Sequence, residues 1–215
     1  MSEVLSSATD GVGTLTLNRP SRINALNRAM IDRITRQLRA WQDDDTVTEV
    51  VFRGAGERGF CAGADVRAMR DDILAGRTEA ALEFLMVEYE LNQLIAGYPK
   101  PVTAHLVGIS MGGGLGLAMH NTRRLGEPGT RWAMPEVGIG LWPDVGICFE
   151  LSRTPGRVGE HLAMTGDSID GASALWAGLL HQCPGADPAE SWLATASGWI
   201  DDCYAGGDAA GIVQA

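Results

Sequence analysis

Two carboxylates, Glu136 and Asp144, stand in the loop Met134-Pro135-Glu136-Val137-Gly138-Ile139-Gly140-Leu141-Trp142-Pro143-Asp144-Val145-Gly146. Every other residue of that loop is apolar, glycine or proline. An apolar setting disfavours the charged form and raises a carboxyl pKa, which suits proton transfer near neutral pH. A plainer role competes: both residues could be exposed loop charges, and Asp144, just ahead of a helical segment, could be a helix cap.

Two glycine-rich turns could supply the complementary chemistry, hydrogen-bond donors for a developing negative charge. In Phe60-Cys61-Ala62-Gly63-Ala64-Asp65, small residues after a strand let a ligand reach the backbone and let N–H groups point at an oxygen. The alternative there is an ordinary strand-to-helix turn with Asp65 as its cap. Met111-Gly112-Gly113-Gly114-Leu115-Gly116 lies between a strand and a helix, whose first N–H groups are unsatisfied and carry partial positive charge. Such groups can stabilise an oxyanion, or the glycines can serve close helix-sheet packing. A dinucleotide fingerprint is excluded, because Leu117 stands where glycine or alanine is needed.

Other nucleophile and metal signatures are weak. His105, His120, His161 and His181 do not pair at metal-ligand spacing with one another or with cysteine, so no metal is expected. There is no G-x-S-x-G elbow. The four cysteines are scattered without a C-x-x-C, and Cys61 reads as a small apolar filler.

The elements that must position these residues alternate between strand and helix, an α/β pattern. Gly13 to Leu17 alternates as a strand and ends at Asn18-Arg19-Pro20. Met30, Ile31, Ile34, Leu38 and Trp41 share one helical face. Val50 to Phe52 reads as a buried strand. Leu82, Leu85, Met86 and Tyr89 have the spacing of a second amphipathic helix, closed by Tyr98-Pro99-Lys100-Pro101. Val102 to Ile109 and Thr130 to Met134 read as strands, and helices are predicted after Gly146 and after Ile169. No internal repeat or linker is visible, and patterning is weakest from about Pro184.

The 215 residues suit one main domain with at most a small appendage. The formal net charge of −10 opposes binding to nucleic acid or an anionic membrane. Met1 to Gly13 has neither a basic nor an apolar leader segment, and no run of 18 apolar residues occurs. These features lead to the expectation of a cytoplasmic location and no membrane partner.

Taken in order, Leu17-Asn18-Arg19-Pro20, Asn24-Ala25-Leu26, Phe60 to Asp65, the triple glycine and Pro135-Glu136 resemble the crotonase (enoyl-CoA hydratase/isomerase) superfamily over roughly residues 10 to 183. Within it, three features resemble the 3-hydroxyisobutyryl-CoA hydrolase family. They are the Gly112 to Ala118 run followed by His120, the loop from Ala133 to Gly146, and Glu88-Tyr89-Glu90-Leu91-Asn92. The resemblance implies a fold of repeated ββα units, a spiral core over residues 1–183, followed by a shortened C-terminal helical segment over 184–215. It implies a small acyl-CoA substrate with coenzyme A as part of that substrate, no separate cofactor, and a possible homotrimer. It also implies further C-terminal helices, absent here, that cover the site and support assembly.

For individual residues, the resemblance implies that the N–H groups of Ala62 and Gly113 form an oxyanion hole and that Glu136 is the principal catalytic carboxylate. Asp144 would hold the substrate hydroxyl or assist proton transfer. Glu88 and Gly113 would line the acyl pocket, and Arg22, Ala64, Asp65 and Val66 would meet the coenzyme A moiety. Hydratases of the superfamily carry a glutamate two residues after the triple glycine and glycine at the position of Asp144; this chain has Gly116 and Asp144. Hydrolysis of a short 3-hydroxyacyl-CoA is therefore expected. Enoyl-CoA hydration or isomerisation, and acyl-CoA binding without turnover, are the alternatives.

Overall fold

A computed structural model describes residues 2–120 and 123–205. Strand β1 (Val4–Thr9) turns back on β2 (Val12–Leu17) in an antiparallel hairpin. Asp10 and Gly11 both have positive φ, the requirement of a tight two-residue hairpin turn. Helix α1 (Arg28–Gln42) follows, capped by the Asn27 side chain on the Met30 N–H. It buries Met30, Ile31, Ile34, Leu38 and Trp41, the face predicted from their spacing.

Three further passes of the chain share one plan. Strand β3 (Glu49–Gly54) and short strand β4 (Gly59–Cys61) lead to α2 (Val66–Leu74) and α3 (Thr78–Ala96). Strands β5 (Val102–Leu106) and β6 (Ile109–Met111) lead to α4 (Gly113–Gly116). Strands β7 (Arg123–Gly126) and β8 (Arg131–Ala133) lead to a 3-10 turn at Pro135–Ile139 and to α5 (Cys148–Leu151), α6 (Val158–Thr165) and α7 (Gly171–Trp176). In each pass the first strand joins a five-stranded sheet of order β1-β2-β3-β5-β7, and the second joins a three-stranded parallel sheet of order β4-β6-β8. The ββα repetition is thus structural, although no sequence repeat announces it.

Two local expectations are corrected. The strand expected from Val102 to Ile109 is two strands in two sheets; Gly108, with φ +49°, makes the bend, and a Cβ there would meet the Arg58 carbonyl oxygen at 2.6 Å. Helix α3 exists, but Leu82, Met86 and Tyr89 of its expected face are 56, 61 and 41% exposed. Its buried face is Ala81, Phe84, Glu88, Leu91, Asn92 and Ile95. Two polar residues sit on the inward stripe, and hydrophobic periodicity assigns those positions to solvent. The weakly patterned end forms α8 (Trp192–Ala205), which buries Leu193 and Ile200 in the same core as the two sheets.

The motif around Asn24 proves to be a scaffold element. Ile23 and Asn24 have φ of 51° and 55°, and Asn24 is fully buried. Its Nδ2 donates to the carbonyls of Ala55, Gly59 and Phe60 at 3.0 to 3.1 Å, and its Oδ1 accepts from the Arg19 N–H at 2.9 Å. One side chain thereby ties the loop after β2 to the end of β4. Asn24→Ala would leave these buried groups unpaired and place alanine at positive φ, so it should lower stability by about 3 kcal/mol in chemical denaturation.

Candidate active site

Strands β4 and β6 are parallel neighbours, so the turns that follow them lie side by side. A Cβ on Gly63 would lie 3.1 Å from the Gly113 amide nitrogen, and one on Gly114 only 2.6 Å from the Cys61 Cβ. Glycine at both places is the condition for this approach. Gly63 itself has φ +95° and Gly112 φ +52°, conformations open to glycine.

The two turns form one wall of a cavity of about 210 Å³. Ala62, Gly63, Ala64 and Val66 line it from the first turn, and Gly112 and Gly113 from the second. Leu85 and Glu88 of α3 line another side, and Pro135, Glu136, Ile139, Leu141 and Asp144 close it from the long loop. The carboxylates of Glu88, Glu136 and Asp144 are therefore brought together with both glycine turns.

The free backbone donors differ in one position from expectation. The Ala62 N–H donates to the Ile23 carbonyl at 2.9 Å and is not available to a substrate. Leu26 and Asp65 bracket the next residues, with Leu26 N–H donating to Gly63 O and Asp65 N–H to Leu26 O, both at 2.8 Å. Among the described residues, the Ala64 and Gly113 N–H groups have no protein acceptor. The two residues lie close across the turn contact, since a Cβ on Gly113 would stand 3.3 Å from the Ala64 nitrogen. The sequence carries both alanines in one small-residue run, and only the hydrogen bond to Ile23 separates their roles.

Electrostatics in the cavity favour the protonated form of its two glutamates. Glu88 is 2% exposed, and its Oε1 has no hydrogen-bond partner. Burial, then the charges of Asp144 and Glu136, push its pKa up to about 8. Glu136 is half-buried with Oε2 unpartnered; burial and Asp144 raise it to about 7, against the opposing hydrogen bond from its own backbone N–H. Asp144 does not cap a helix. The Ile147 backbone caps α5 without a side-chain bond, whereas Asp144 Oδ2 accepts from Tyr89 Oη at 2.6 Å. Burial, reinforced by that hydrogen bond, raises the Tyr89 hydroxyl well above its ordinary range.

The remaining sequence candidates fall outside the cavity lining. Asp65 is the cap of α2, accepting from the Ala68 N–H at 3.3 Å, and pairs with Arg19 at 2.9 Å. Arg22 is exposed in the 3-10 turn Pro20–Arg22. Cys61 is fully buried, and burial drives its thiol up to about 12, so it is no nucleophile. At Gly116 a Cβ would meet the Val145 Cβ at 2.8 Å and the Asn92 amide atoms at 2.9 and 3.0 Å, which leaves no room for a side chain there.

Comparison with known proteins identifies the family. The family model described as "Enoyl-CoA hydratase/isomerase" matches residues 12–191. A relative from Xenopus tropicalis named "3-hydroxyisobutyryl-CoA hydrolase, mitochondrial" is 45% identical over 78% of this chain and 43% of its own length. A relative from Neurospora crassa named "Small ribosomal subunit protein mS47" is 40% identical over 82% of this chain and 35% of its own. Among solved structures, a carnitinyl-CoA dehydratase from Mycobacterium thermoresistibile superposes with a TM-score of 0.91 at 41% identity, over 98% of this chain and 69% of that one. The chain spans less than half the length of these curated relatives. The expected cytoplasmic location is overturned by the mitochondrial name of the hydrolase relative; a short stretch without a leader pattern carries no information on compartment.

The raised carboxyls have a consequence for stability. The folded values near 8 and 7 lie above the unfolded glutamate value of about 4.3. The folded state then holds protons that the unfolded chain has released. The associated stability is complete below the unfolded value and is lost as pH rises through the folded ones. The melting temperature should fall between about pH 5 and pH 8. Glu88→Gln should flatten that fall and exceed the parent chain at pH 8 by roughly 2 kcal/mol, measured by pH-resolved thermal denaturation.

Proposed function

The chain belongs to the enoyl-CoA hydratase/isomerase family, and from that premise we propose that it hydrolyses a short 3-hydroxyacyl-CoA thioester of the 3-hydroxyisobutyryl type. The products are the hydroxy acid and coenzyme A. The observation that carries this reading is the composition of the cavity: Glu136 and Asp144 with two free backbone donors, and no space at Gly116 for a second catalytic glutamate. The Xenopus tropicalis hydrolase supports the same reaction class.

In this reading the thioester carbonyl lies between the Ala64 and Gly113 N–H groups, which polarise it and hold the oxyanion of the tetrahedral intermediate. Glu136 then acts in its ionised form. Either its carboxylate attacks the carbonyl, giving a mixed anhydride that water opens, or it takes a proton from the attacking water. The carbon–sulfur bond breaks in either route, and the thiolate takes up a proton to leave as free coenzyme A. Asp144 accepts a hydrogen bond from the substrate 3-hydroxyl. Glu88, held neutral by burial, lines the acyl side with Gly113. The coenzyme A portion leaves the cavity past Ala64 and Val66, with Arg22 and Asp65 near the exit.

A second reading has a specific observation behind it. The Neurospora crassa relative carries the name of a ribosomal subunit protein, which favours a binding role without turnover. Free-thiol release from a panel of 3-hydroxyisobutyryl, 3-hydroxypropionyl and crotonyl esters distinguishes the two. Release is expected from the hydroxy esters, rising with pH through about 7 as Glu136 ionises. Glu136→Gln should cut kcat by at least roughly a thousandfold with the fold intact. Consumption of the crotonyl ester without thiol would indicate hydration, and ester binding with no turnover would favour the binding role.

A further inference from the structure

Asp144 is the shared wall of two cavities. One is the catalytic cavity of about 210 Å³. The other, of about 630 Å³, lies on its far side between α3 and the loop, lined in part by Tyr89, Asn92, His120 and Val145. A side chain with open space on both sides is not fixed by packing, because no neighbour blocks its alternative rotamers. Something else must aim this carboxylate at the catalytic side.

Two contacts do so. Tyr89 Oη donates to Asp144 Oδ2 at 2.6 Å, which holds one carboxylate oxygen and leaves Oδ1 for a ligand. The backbone just beyond is held in an unusual conformation: Val145 has φ +46° and Gly146 φ +77°. A β-branched residue rarely adopts positive φ, so surrounding contacts must impose it. His120 Nε2 donates to the Val145 carbonyl at 2.6 Å. The His120 ring also packs against Gly146, where a Cβ would stand 2.8 Å from Cε1. Val145 itself is buried against Gly116.

We propose that Tyr89 and His120 are positioning residues that clamp Asp144 from the side chain and from the backbone, and that this clamp gives the site its preference for a 3-hydroxylated acyl group. The clamp rests on the reading of Asp144 as the acceptor of the substrate hydroxyl. Tyr89 touches the Asp144 side chain and His120 the Val145 carbonyl that follows it; neither lines the catalytic cavity.

The test is a double-mutant cycle read by equilibrium binding. Binding of 3-hydroxyisobutyryl-CoA and of isobutyryl-CoA is measured by calorimetry in a Glu136→Gln background, so that turnover does not interfere. The preference is the ratio of the two dissociation constants. Tyr89→Phe should reduce it about tenfold while the affinity for isobutyryl-CoA and the melting temperature stay unchanged. His120→Ala should reduce it too, with partial rescue by His120→Gln, which restores a donor. Asp144→Ala should remove the preference, and Tyr89→Phe should then have no further effect. If Asp144→Ala removes the preference but Tyr89→Phe and His120→Ala leave it intact, the clamp is wrong and the reading of Asp144 stands. If Asp144→Ala keeps the preference, the reading of Asp144 falls and the clamp's role in specificity falls with it. A crystal structure of Tyr89→Phe alone gives a ligand-free arm: Asp144 turned into the larger cavity supports the clamp, and Asp144 unmoved overturns it.

Discussion

The parallel pairing of β4 with β6 is the constraint on which the site depends. It lays the ends of two strands side by side, and the chain leaves both through glycine turns whose backbones nearly touch. Any side chain at Gly63 or Gly114 would separate them, and Ala64 and Gly113 would no longer lie side by side. Neighbouring interactions serve this contact. Asn24 ties the end of β4 to the loop after β2, Ile23 occupies the Ala62 N–H, and Leu26 brackets Gly63 and Asp65. The motif residues upstream of the site are thus scaffold, and the backbone donors left unbonded lie at Ala64 and Gly113.

The cavity opposes stability in the rest of the molecule. Three carboxyl groups converge in a mostly apolar space, within a chain that already carries a net charge of −10. Burial and mutual repulsion keep Glu88 and Glu136 at least partly protonated near neutrality. The two-sheet core, with Leu15, Leu17, Phe52, Phe60, Leu106 and Trp132 fully buried, supplies the offsetting burial of apolar surface. A preorganised polar site of this kind is a common source of lost stability in proteins.

Much of the fold was legible because local pattern and tertiary role coincide. The alternation from Gly13 to Leu17 and the stripe of α1 follow directly from residue spacing. The failures are equally local. The face of α3 was misassigned because the inward positions hold Glu88, which lines the site, and Asn92, which packs against Gly116, while Leu82 and Met86 stay exposed. The break at Gly108 was hidden because residues 102 to 109 read as one strand, and a lone glycine does not reveal that the two halves belong to different sheets. At the site, the two loop carboxylates stood out by their apolar surroundings. The choice between Ala62 and Ala64 could not be read from residue type, because it depends on a hydrogen bond to Ile23 across 39 residues of sequence.

The packing at Gly116 bears on how such a chain could change its chemistry over evolutionary time. Installing a glutamate there is a single substitution on paper, but the space belongs to Val145 and Asn92. Room would have to be made at those positions first. Val145 also carries the left-handed turn beside Asp144, so each intermediate would disturb the existing site before the new carboxylate could contribute. The order of substitutions would then matter. Interlocked packing of this sort ties the backbone beside Asp144 to the space at Gly116.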